Sequence, residues 1–182
     1  MGDQLSARDW LDQGLRTLAR QGFTALKAEP LAKAMGVSRG SFYWHFADIG
    51  AFRRAILDHW RDVAVERIIA DIEALPPGGD ALRTLLNRAF GGKPPLLESA
   101  MRSWAAHDAV ARSAVQAVDQ RRMDYIENLL TGSGMPTEVA RARTQILYWA
   151  FLGFALSDKP PSRARQAAIL EQLARIASDQ GR

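Results

Sequence analysis

Apolar residues recur at intervals of three and four positions along almost the whole chain, which is the spacing of one face of an α-helix. Strict alternation of apolar and polar positions, which would predict a β-strand, hardly occurs. Glycine and proline cluster at residues 76–79, 91–95, 131–136 and 158–162 and interrupt the helical pattern. The sequence therefore predicts an all-α protein whose helices end at these clusters.

The spacing predicts about nine helices. Asp48 is a good N-cap for the longest of them, and Gly22 is a typical C-terminal stop for the first. The predicted helices cover residues 6–21, 28–35, 39–46, 48–75, 80–90, 95–106, 108–129, 136–156 and 162–178.

The segment 146–156 (ILYWAFLGFAL) is apolar on all sides of its predicted helix. It is much shorter than the stretch of about 20 residues that crosses a membrane. A helix that is apolar all round is buried on several sides. We therefore expect this segment to lie in the core or against a second copy of the chain, and we expect no membrane partner.

Composition limits the possible chemistry. The chain has 182 residues, of which 47% are hydrophobic and 24% charged, as in a soluble globular protein of one domain or of one small and one larger domain. The absence of cysteine excludes disulfides, thiolate metal sites and a cysteine nucleophile. The residues after Met1 do not have the pattern of a secretory signal peptide, so we expect a cytoplasmic protein.

The net charge of +4 is spread evenly along the chain. Residues 1–60 carry eight basic and six acidic side chains, and the remainder carries sixteen and fourteen. An even, mildly basic balance permits a nucleic-acid partner without requiring one.

Residues 22–46 (GFTALKAEPLAKAMGVSRGSFYWHF) predict two short helices joined by a tight turn. Pro30 falls in the first turn of the first helix, where its missing N–H costs no hydrogen bond. Gly36 can adopt the left-handed conformation that reverses the chain. The side chain of Val37 is expected to pack in the core and hold the turn there, and Ser38 is the N-cap of the second helix. Helix, glycine turn and helix in this order form the helix-turn-helix arrangement of DNA-binding proteins.

The apolar side chains of this segment are expected to form one small core, consisting of Phe23, Leu26, Leu31, Met35, Val37, Phe42 and Phe46. Ala32 and Ala34 are small enough for the two helices to cross closely. Five residues of the second helix remain outside, namely Arg39, Ser41, Tyr43, Trp44 and His45.

Such an outer face suits the major groove of DNA, because arginine pairs bidentately with guanine and hydroxyl groups reach phosphates. Gly40 adds no side chain to this face, so the backbone can approach the DNA closely. The alternative is that the same side chains are partly buried packing residues of an ordinary helical protein.

The order of these residues resembles the N-terminal signature of the TetR family of bacterial transcriptional regulators. The matching positions are Gly22-Phe23, Leu31-Ala32, Gly36-Val37-Ser38, Gly40, Phe42-Tyr43 and His45-Phe46. The resemblance covers about residues 5–60, roughly a third of the chain. It implies a helix-turn-helix domain of residues 1–47, followed by a helical ligand-binding and dimerisation domain of residues 48–182.

The resemblance also implies roles for single residues. Arg39 and Ser41 occupy positions that contact bases, Tyr43 and His45 occupy positions that contact phosphates, and Trp44 lies at a variable position between them. The complete predicted DNA-binding set is Lys27, Ser38, Arg39, Gly40, Ser41, Tyr43, Trp44 and His45.

Two positions depart from the family pattern. Lys27 replaces the serine or threonine that usually caps the first helix of the motif, and lysine can bind a phosphate but cannot cap. Ile49 replaces a lysine that is common just after the His-Phe pair. We therefore expect one phosphate contact fewer than is usual in the family.

For the rest of the chain, the resemblance implies a homodimer whose two-fold interface lies on the last two helices, and a pocket for a small effector. The predicted interface residues are Tyr148, Phe151, Leu152, Phe154, Leu170, Leu173, Ala174 and Ala177. The predicted pocket residues are Trp60, Phe90, Leu97, Met101, Trp104, His107, Met123, Tyr125 and Ile126. Their apolar majority favours a hydrophobic or amphipathic ligand, although such residues are also common as ordinary core filler.

The sequence does not favour an enzyme. His45, His59 and His107 lack the spacing of metal ligands, and neither a phosphate-binding glycine loop nor a serine elbow is present, so we expect neither metal nor cofactor. The expected function is a repressor that binds a palindromic operator as a dimer and is released by a ligand. Lys27 and Ile49 leave one alternative, a dimeric helical interaction protein whose DNA binding is degraded.

Overall fold

A computed structural model describes residues 5–76 and 79–178, and within these ranges it contains helices and no β-strand. The predicted all-α fold class is confirmed. The helices are α1 (Ala7–Gln21), α2 (Ala28–Ala34), α3 (Arg39–Tyr43), α4 (Ile49–Arg61), α5 (Arg67–Glu73), α6 (Ala81–Phe90), α7 (Leu96–Ala105), α8 (Ala109–Gly132), α9 (Thr137–Ala155) and α10 (Arg163–Ser178). No helix in the described ranges is long and apolar enough to cross a membrane.

Three predicted helices differ from the observed ones by three residues or more, and one of these, predicted for 108–129, extends to Gly132 as α8. The segment 39–46 is helical only to Tyr43, because Trp44 is the C-cap and the next residues continue as a turn. The segment 48–75 is divided into α4 and α5 by a π-helical stretch, Asp62–Glu66.

The π-helical stretch has a physical reason in the pattern of buried residues. Trp60 and Val65 are both almost fully buried, and they are five residues apart, which is more than one α-helical turn. The wider π turn keeps both side chains on the buried face. Val63 and Ile68 are only half-buried, whereas Ile69 is buried.

The chain forms two compact units. Unit 1 consists of residues up to Ala64 together with Leu96–Ala117. In it α1 packs against α4 and α7, and α2 packs against α3. The start of α1 is fixed by a capping box, in which Ser6 accepts from the Asp9 amide and Asp9 accepts from the Ser6 amide.

A close approach of α1 and α4 in unit 1 depends on Gly14. A Cβ atom at this position would lie 2.3 Å from Cδ1 of Ile56 and 2.8 Å from Cζ of Phe52. These distances are shorter than any van der Waals contact, so a larger residue at this position would force the side chains of Ile56 and Phe52 to move.

Unit 2 consists of Val65–Pro95 and Val118–Arg182, of which the residues after Ser178 lie outside the described ranges. In it α6 packs against α5, α9 and α10. Its core is formed by Leu86, Phe90, Leu130, Met135, Ala140, Leu147, Leu173 and Ala177. The predicted boundary between residues 47 and 48 concerns the division of function and remains a prediction.

Candidate nucleic-acid interface

The turn between α2 and α3 is closed by backbone hydrogen bonds around Gly36, which has a φ of 70°. The amide of Val37 donates to the carbonyl of Ala32, and the amide of Gly36 donates to that of Lys33. This pair of bonds is the Schellman motif, which needs a left-handed residue that glycine supplies without strain. The turn sets the direction in which α3 leaves α2.

Each short helix begins at a residue whose side chain makes no capping hydrogen bond. Lys27 precedes α2 in an extended conformation and is exposed, as expected for a residue that cannot cap. Ser38 precedes α3 in the N-cap position, but its hydroxyl does not bind the helix, contrary to its predicted capping role. Both polar groups therefore remain available to an external acceptor.

Helix α3 is held in place by Phe42, which is fully buried. Its ring lies 5.4 Å from that of Trp10, 5.3 Å from that of Phe46 and 5.2 Å from that of Phe52, measured between centroids. The tilted and edge-on geometries of these pairs add to the gain from burial. A helix of only five residues cannot be stable alone, so this cluster fixes it.

The outer face of α3 and its C-cap is polar and aromatic. Trp44 is 83% exposed and Tyr43 47%, Arg39 and Gly40 are also exposed, and Ser41 and His45 are half-buried. A Cβ atom added to Gly40 would meet only the Ser38 hydroxyl, at 3.6 Å, so the space above it is open. The predicted DNA-binding residues of this segment are therefore all exposed or half-buried at the surface of the unit.

The small core beneath this surface was predicted only in part. Leu26, Leu31, Phe42 and Phe46 are buried as expected. Phe23, Met35 and Val37 are half-buried, because they lie in or beside turns at the edge of the unit. Ala32 is buried, but Ala34 is exposed at the end of α2 and plays no part in a helix crossing.

Arg39 and Tyr43 contact each other across one turn of α3. Nη2 of Arg39 donates to Oη of Tyr43 over 2.9 Å, and the guanidinium carbon lies 5.5 Å from the centre of the tyrosine ring. This hydrogen bond raises the pKa of the arginine further above its usual value, so Arg39 stays charged. A predicted base-contacting residue and a predicted phosphate-contacting residue are thus joined by a hydrogen bond within the protein itself.

Arg54 was not among the residues predicted from the sequence to contact DNA. Arg54 is exposed on α4, and its Nη1 lies 3.5 Å from the point where a Cβ of Gly50 would stand. Its charged head therefore reaches back to the first turn of α4, where Oδ1 of Asp48 lies 3.1 Å from the same point. The absence of a side chain at residue 50 leaves room for this, and the pair Gly50 and Arg54 at four-residue spacing was the available signal.

The predicted pocket residues are divided between the two units. In unit 1, Trp60, Met101 and Trp104 are buried, Leu97 is half-buried and His107 is exposed. In unit 2, Phe90 and Tyr125 are buried, and Met123 and Ile126 are half-buried. Burial of the Tyr125 ring is the main cause of a raised pKa of its hydroxyl.

Several of these side chains already have packing partners. The ring of Trp104 stacks on Phe23 with 6.2 Å between centroids, and His107 stacks on the same ring. Phe90 and Ile126 belong to or pack against the core of unit 2. Their role as ligand contacts remains a prediction.

A shallow cavity of about 160 Å³ lies between α6 and α10, and it does not include these residues. It is smaller than the roughly 300–1,000 Å³ of a typical ligand site. Charged residues make up much of its lining, among them Asp80, Arg83, Glu171 and Arg175. This cavity does not suit a hydrophobic effector.

The predicted interface residues of α9 and α10 mostly face their own chain. Tyr148, Leu173 and Ala177 are buried, and the Tyr148 hydroxyl donates to Asp119 over 2.5 Å. The remaining ones are half-buried, namely Phe151, Leu152, Phe154, Leu170 and Ala174. Most of these inward side chains pack on the core of unit 2.

A different set of apolar residues is exposed on the same two helices. Trp149 is 63% exposed, Ile146 46%, Leu156 45%, and Ile169 on α10 38%. Ile146, Trp149, Gly153 and Leu156 follow one another at intervals of three and four, so they form one outward stripe on α9, which we call the α9 stripe. The sequence does not reveal this stripe, because segment 146–156 is apolar on every side.

The histidines do not come together. Nε2 of buried His59 lies 2.6 Å from Oδ1 of Asp12, which links α4 to α1, and Nδ1 of His107 bonds the Ser103 carbonyl. Within residues 5–76 and 79–178, no group of three or more histidine, aspartate and glutamate residues could hold a metal ion.

Comparison with known proteins identifies the helix-turn-helix segment. Residues 11–56 match the family model of bacterial regulatory proteins, tetR family. The HTH-type transcriptional regulator AcrR of Shigella flexneri is 47% identical over 38 residues, which are 21% of this chain and 18% of AcrR. The similarity to this relative therefore covers less than a fifth of its length.

Solved structures resemble the chain over nearly its whole length. A member of the TetR family from Streptomyces coelicolor A3 superimposes with a TM-score of 0.63 at 23% identity, covering 93% of this chain and 98% of that one. AibR, in a complex with isovaleryl coenzyme A and operator DNA, gives a TM-score of 0.66 at 15% identity, covering 93% and 96%. At these identities the likeness is one of fold.

Proposed function

We propose that the chain, which matches the tetR family model over residues 11–56 and has the fold of a TetR-family structure, is a transcriptional repressor. In this proposal, a homodimer binds a near-palindromic operator through α3 and is released by a small hydrophobic or amphipathic ligand. The observation that carries it is the exposed outer face of α3, held on a buried aromatic anchor. Regulation rather than catalysis is the proposed activity.

The outer face of α3 has the chemistry of direct base readout. Arg39 carries a planar fork of N–H donors that matches the O6 and N7 acceptors of guanine, and Ser41 follows on the same side. The polar groups around it, Lys27, Ser38 and His45, suit phosphate oxygens. Phosphate contacts fix the register of the helix in the groove, so that few base contacts are enough for specificity.

We predict that Arg39→Ala relaxes base preference at one position in each half-site. The loss of a bidentate contact should cost about 1–3 kcal/mol at the preferred base, while affinity for the other bases at that position changes little. Selection of bound duplexes from a randomised pool, followed by titration of single-base variants, measures both effects.

Arg175→Ala provides the matched control, because Arg175 is exposed on α10, outside the proposed DNA interface. It should retain the base preference of the unaltered protein. A selected site that is identical for Arg39→Ala and the unaltered protein would place the recognition surface elsewhere.

Arg54 is proposed to supply the phosphate contact that Ile49 cannot make. Its head lies at the first turn of α4, where the family pattern places a lysine, and arginine binds phosphate at least as well. A dimer would then have four cationic phosphate contacts from Lys27 and Arg54.

We predict that Arg54→Gln weakens binding to all sequences alike, by roughly tenfold or more at about 0.1 M salt. Because two charges are lost per dimer, the slope of log K against log salt should become shallower by about 2. Arg61→Gln, the same charge change at the other end of α4, is the control. Equal slopes for the two variants would rule out the contact.

The α9 stripe and Ile169 are proposed to form the dimer interface. A two-fold axis brings the same exposed apolar patch of two chains together, which buries it from water on both sides. Gly153 within the stripe has no atoms near the place of a Cβ, so a second backbone could approach there. Dimerisation also joins two short recognition helices, each of which contacts few bases alone.

We propose that the chain binds a small hydrophobic or amphipathic effector. AibR, which shares the fold, is described with isovaleryl coenzyme A bound, so this fold can accommodate an acyl compound. The apolar lining predicted here suits a ligand with a hydrophobic part.

A further inference from the structure

The hydrogen bond between Arg39 and Tyr43 bears on how the proposed operator is read. The two side chains lie on one face of α3, Nη2 donates to Oη over 2.9 Å, and the guanidinium group also lies against the ring at 5.5 Å. Both side chains are exposed. A long arginine side chain on a surface otherwise samples many rotamers, so two contacts to one partner restrict it considerably.

The tyrosine is itself fixed. Its ring packs edge-on against that of Phe42, with 5.3 Å between centroids and an angle of 85°. Phe42 is fully buried in the aromatic cluster with Trp10, Phe46 and Phe52. The position of the Tyr43 hydroxyl is therefore set by the core of unit 1.

The bond leaves Arg39 able to bind a base. The guanidinium group has two edges with two N–H donors each, and the two Nη2 hydrogens belong to different edges. Tyr43 accepts from only one of these two hydrogens. Whichever hydrogen is used, the other edge keeps both donors and can pair with O6 and N7 of guanine. The hydroxyl of Tyr43, having accepted from Arg39, still has its own hydrogen to donate to a phosphate oxygen.

We propose that Tyr43 is a positioning residue for Arg39 and thereby determines base specificity, in addition to any phosphate contact of its own. A phosphate oxygen, the Tyr43 hydroxyl, the Arg39 guanidinium group and a guanine would form one chain of hydrogen bonds. The backbone contact and the base contact then depend on each other. This inference rests on the proposed DNA-binding function and adds to it a coupling between affinity and sequence preference.

The test compares Tyr43→Phe, Arg39→Ala and the double variant in the full chain. Tyr43→Phe keeps the ring and removes only the hydroxyl, and Tyr43 is exposed, so the fold and thermal midpoint should be unchanged. Each protein is given a randomised double-stranded DNA pool, and its affinity is then measured for the selected duplex and for every single-base variant of it. Lys27→Ala serves as a comparison for the loss of a phosphate contact alone.

The expected result is that Tyr43→Phe flattens base preference at the same half-site position as Arg39→Ala, by about tenfold, and leaves other positions unchanged. The fold loss of base preference in the double variant should be smaller than the product of the losses in the two single variants, since both substitutions remove the same interaction. Lys27→Ala should reduce the affinity for all sequences by the same factor.

Two outcomes overturn the proposal and are distinguishable. If Arg39→Ala flattens one position while Tyr43→Phe lowers affinity uniformly, as Lys27→Ala does, the two residues act independently and only this inference is wrong. If the unaltered protein selects no sequence at all, both this inference and the proposed function are wrong.

Discussion

Replacing Phe42 by alanine should lower the free energy of unfolding by about 3–5 kcal/mol and abolish DNA binding. The ring is fully buried and packs against Trp10, Phe46 and Phe52, so its removal leaves a cavity and loses several aromatic contacts. Because α3 is only five residues long and has no capping side chain, it should lose its orientation even in molecules that stay folded. Chemical denaturation followed by circular dichroism, together with DNA titration, measures the two effects.

Two further variants make this result specific. Trp44→Ala removes a larger aromatic side chain only two residues further along the chain. That side chain is 83% exposed, so the free energy of unfolding should change by less than about 0.5 kcal/mol. Phe42→Leu keeps most of the volume and should cost much less than alanine. Equal unfolding curves for Phe42→Ala and Trp44→Ala would mean that the aromatic cluster does not anchor α3.

Replacing Trp149 by glutamate should convert the protein from a dimer to a monomer and reduce operator affinity by about 10²–10⁴-fold. Trp149 is the most exposed large residue of the α9 stripe, and a charge there would be buried without a partner on both sides of the proposed interface. Since the side chain is exposed within one chain, the monomer should remain folded. Light scattering should give the mass of one chain, 20.1 kDa, in place of twice that mass.

Val110→Glu is the control for the added charge, because Val110 is a similarly exposed apolar residue on α8. It should leave the mass unchanged. A Trp149→Glu protein that keeps the mass of a dimer would show that the α9 stripe does not form the interface.

The helices of this protein could be predicted from local signals. Asp48 caps α4 by accepting from the amide of Ala51 at 2.7 Å, and Gly36 ends α2 with the positive φ that its turn requires. These interactions lie within a few residues of each other, so the sequence contains them directly. The residues of α3 that face outward could also be predicted from the sequence, because Phe42 and Phe46 mark the side that faces the core.

Long-range packing could not be predicted in the same way. Trp10, Gly14 and His59 meet partners on other helices, at Phe42, Ile56 and Asp12 respectively, and no local spacing indicates those partners. On α9 the side chains that face outward could not be predicted either. A segment that is apolar all round has no polar side to mark its outer face, so the spacing does not show that Tyr148 is buried within the chain and Trp149 exposed.

Sequence-selective DNA binding by the unaltered protein tests the central claim most directly. A duplex selected from a randomised pool and a scrambled duplex of the same composition are titrated at several salt concentrations from about 50 to 200 mM. We predict a near-palindromic selected site, a preference over the scrambled duplex of about 10³-fold or more, and a slope of log K against log salt of about −4 or steeper. Equal affinity for the two duplexes, with a slope near zero, would contradict the account and favour a helical interaction protein that does not bind DNA.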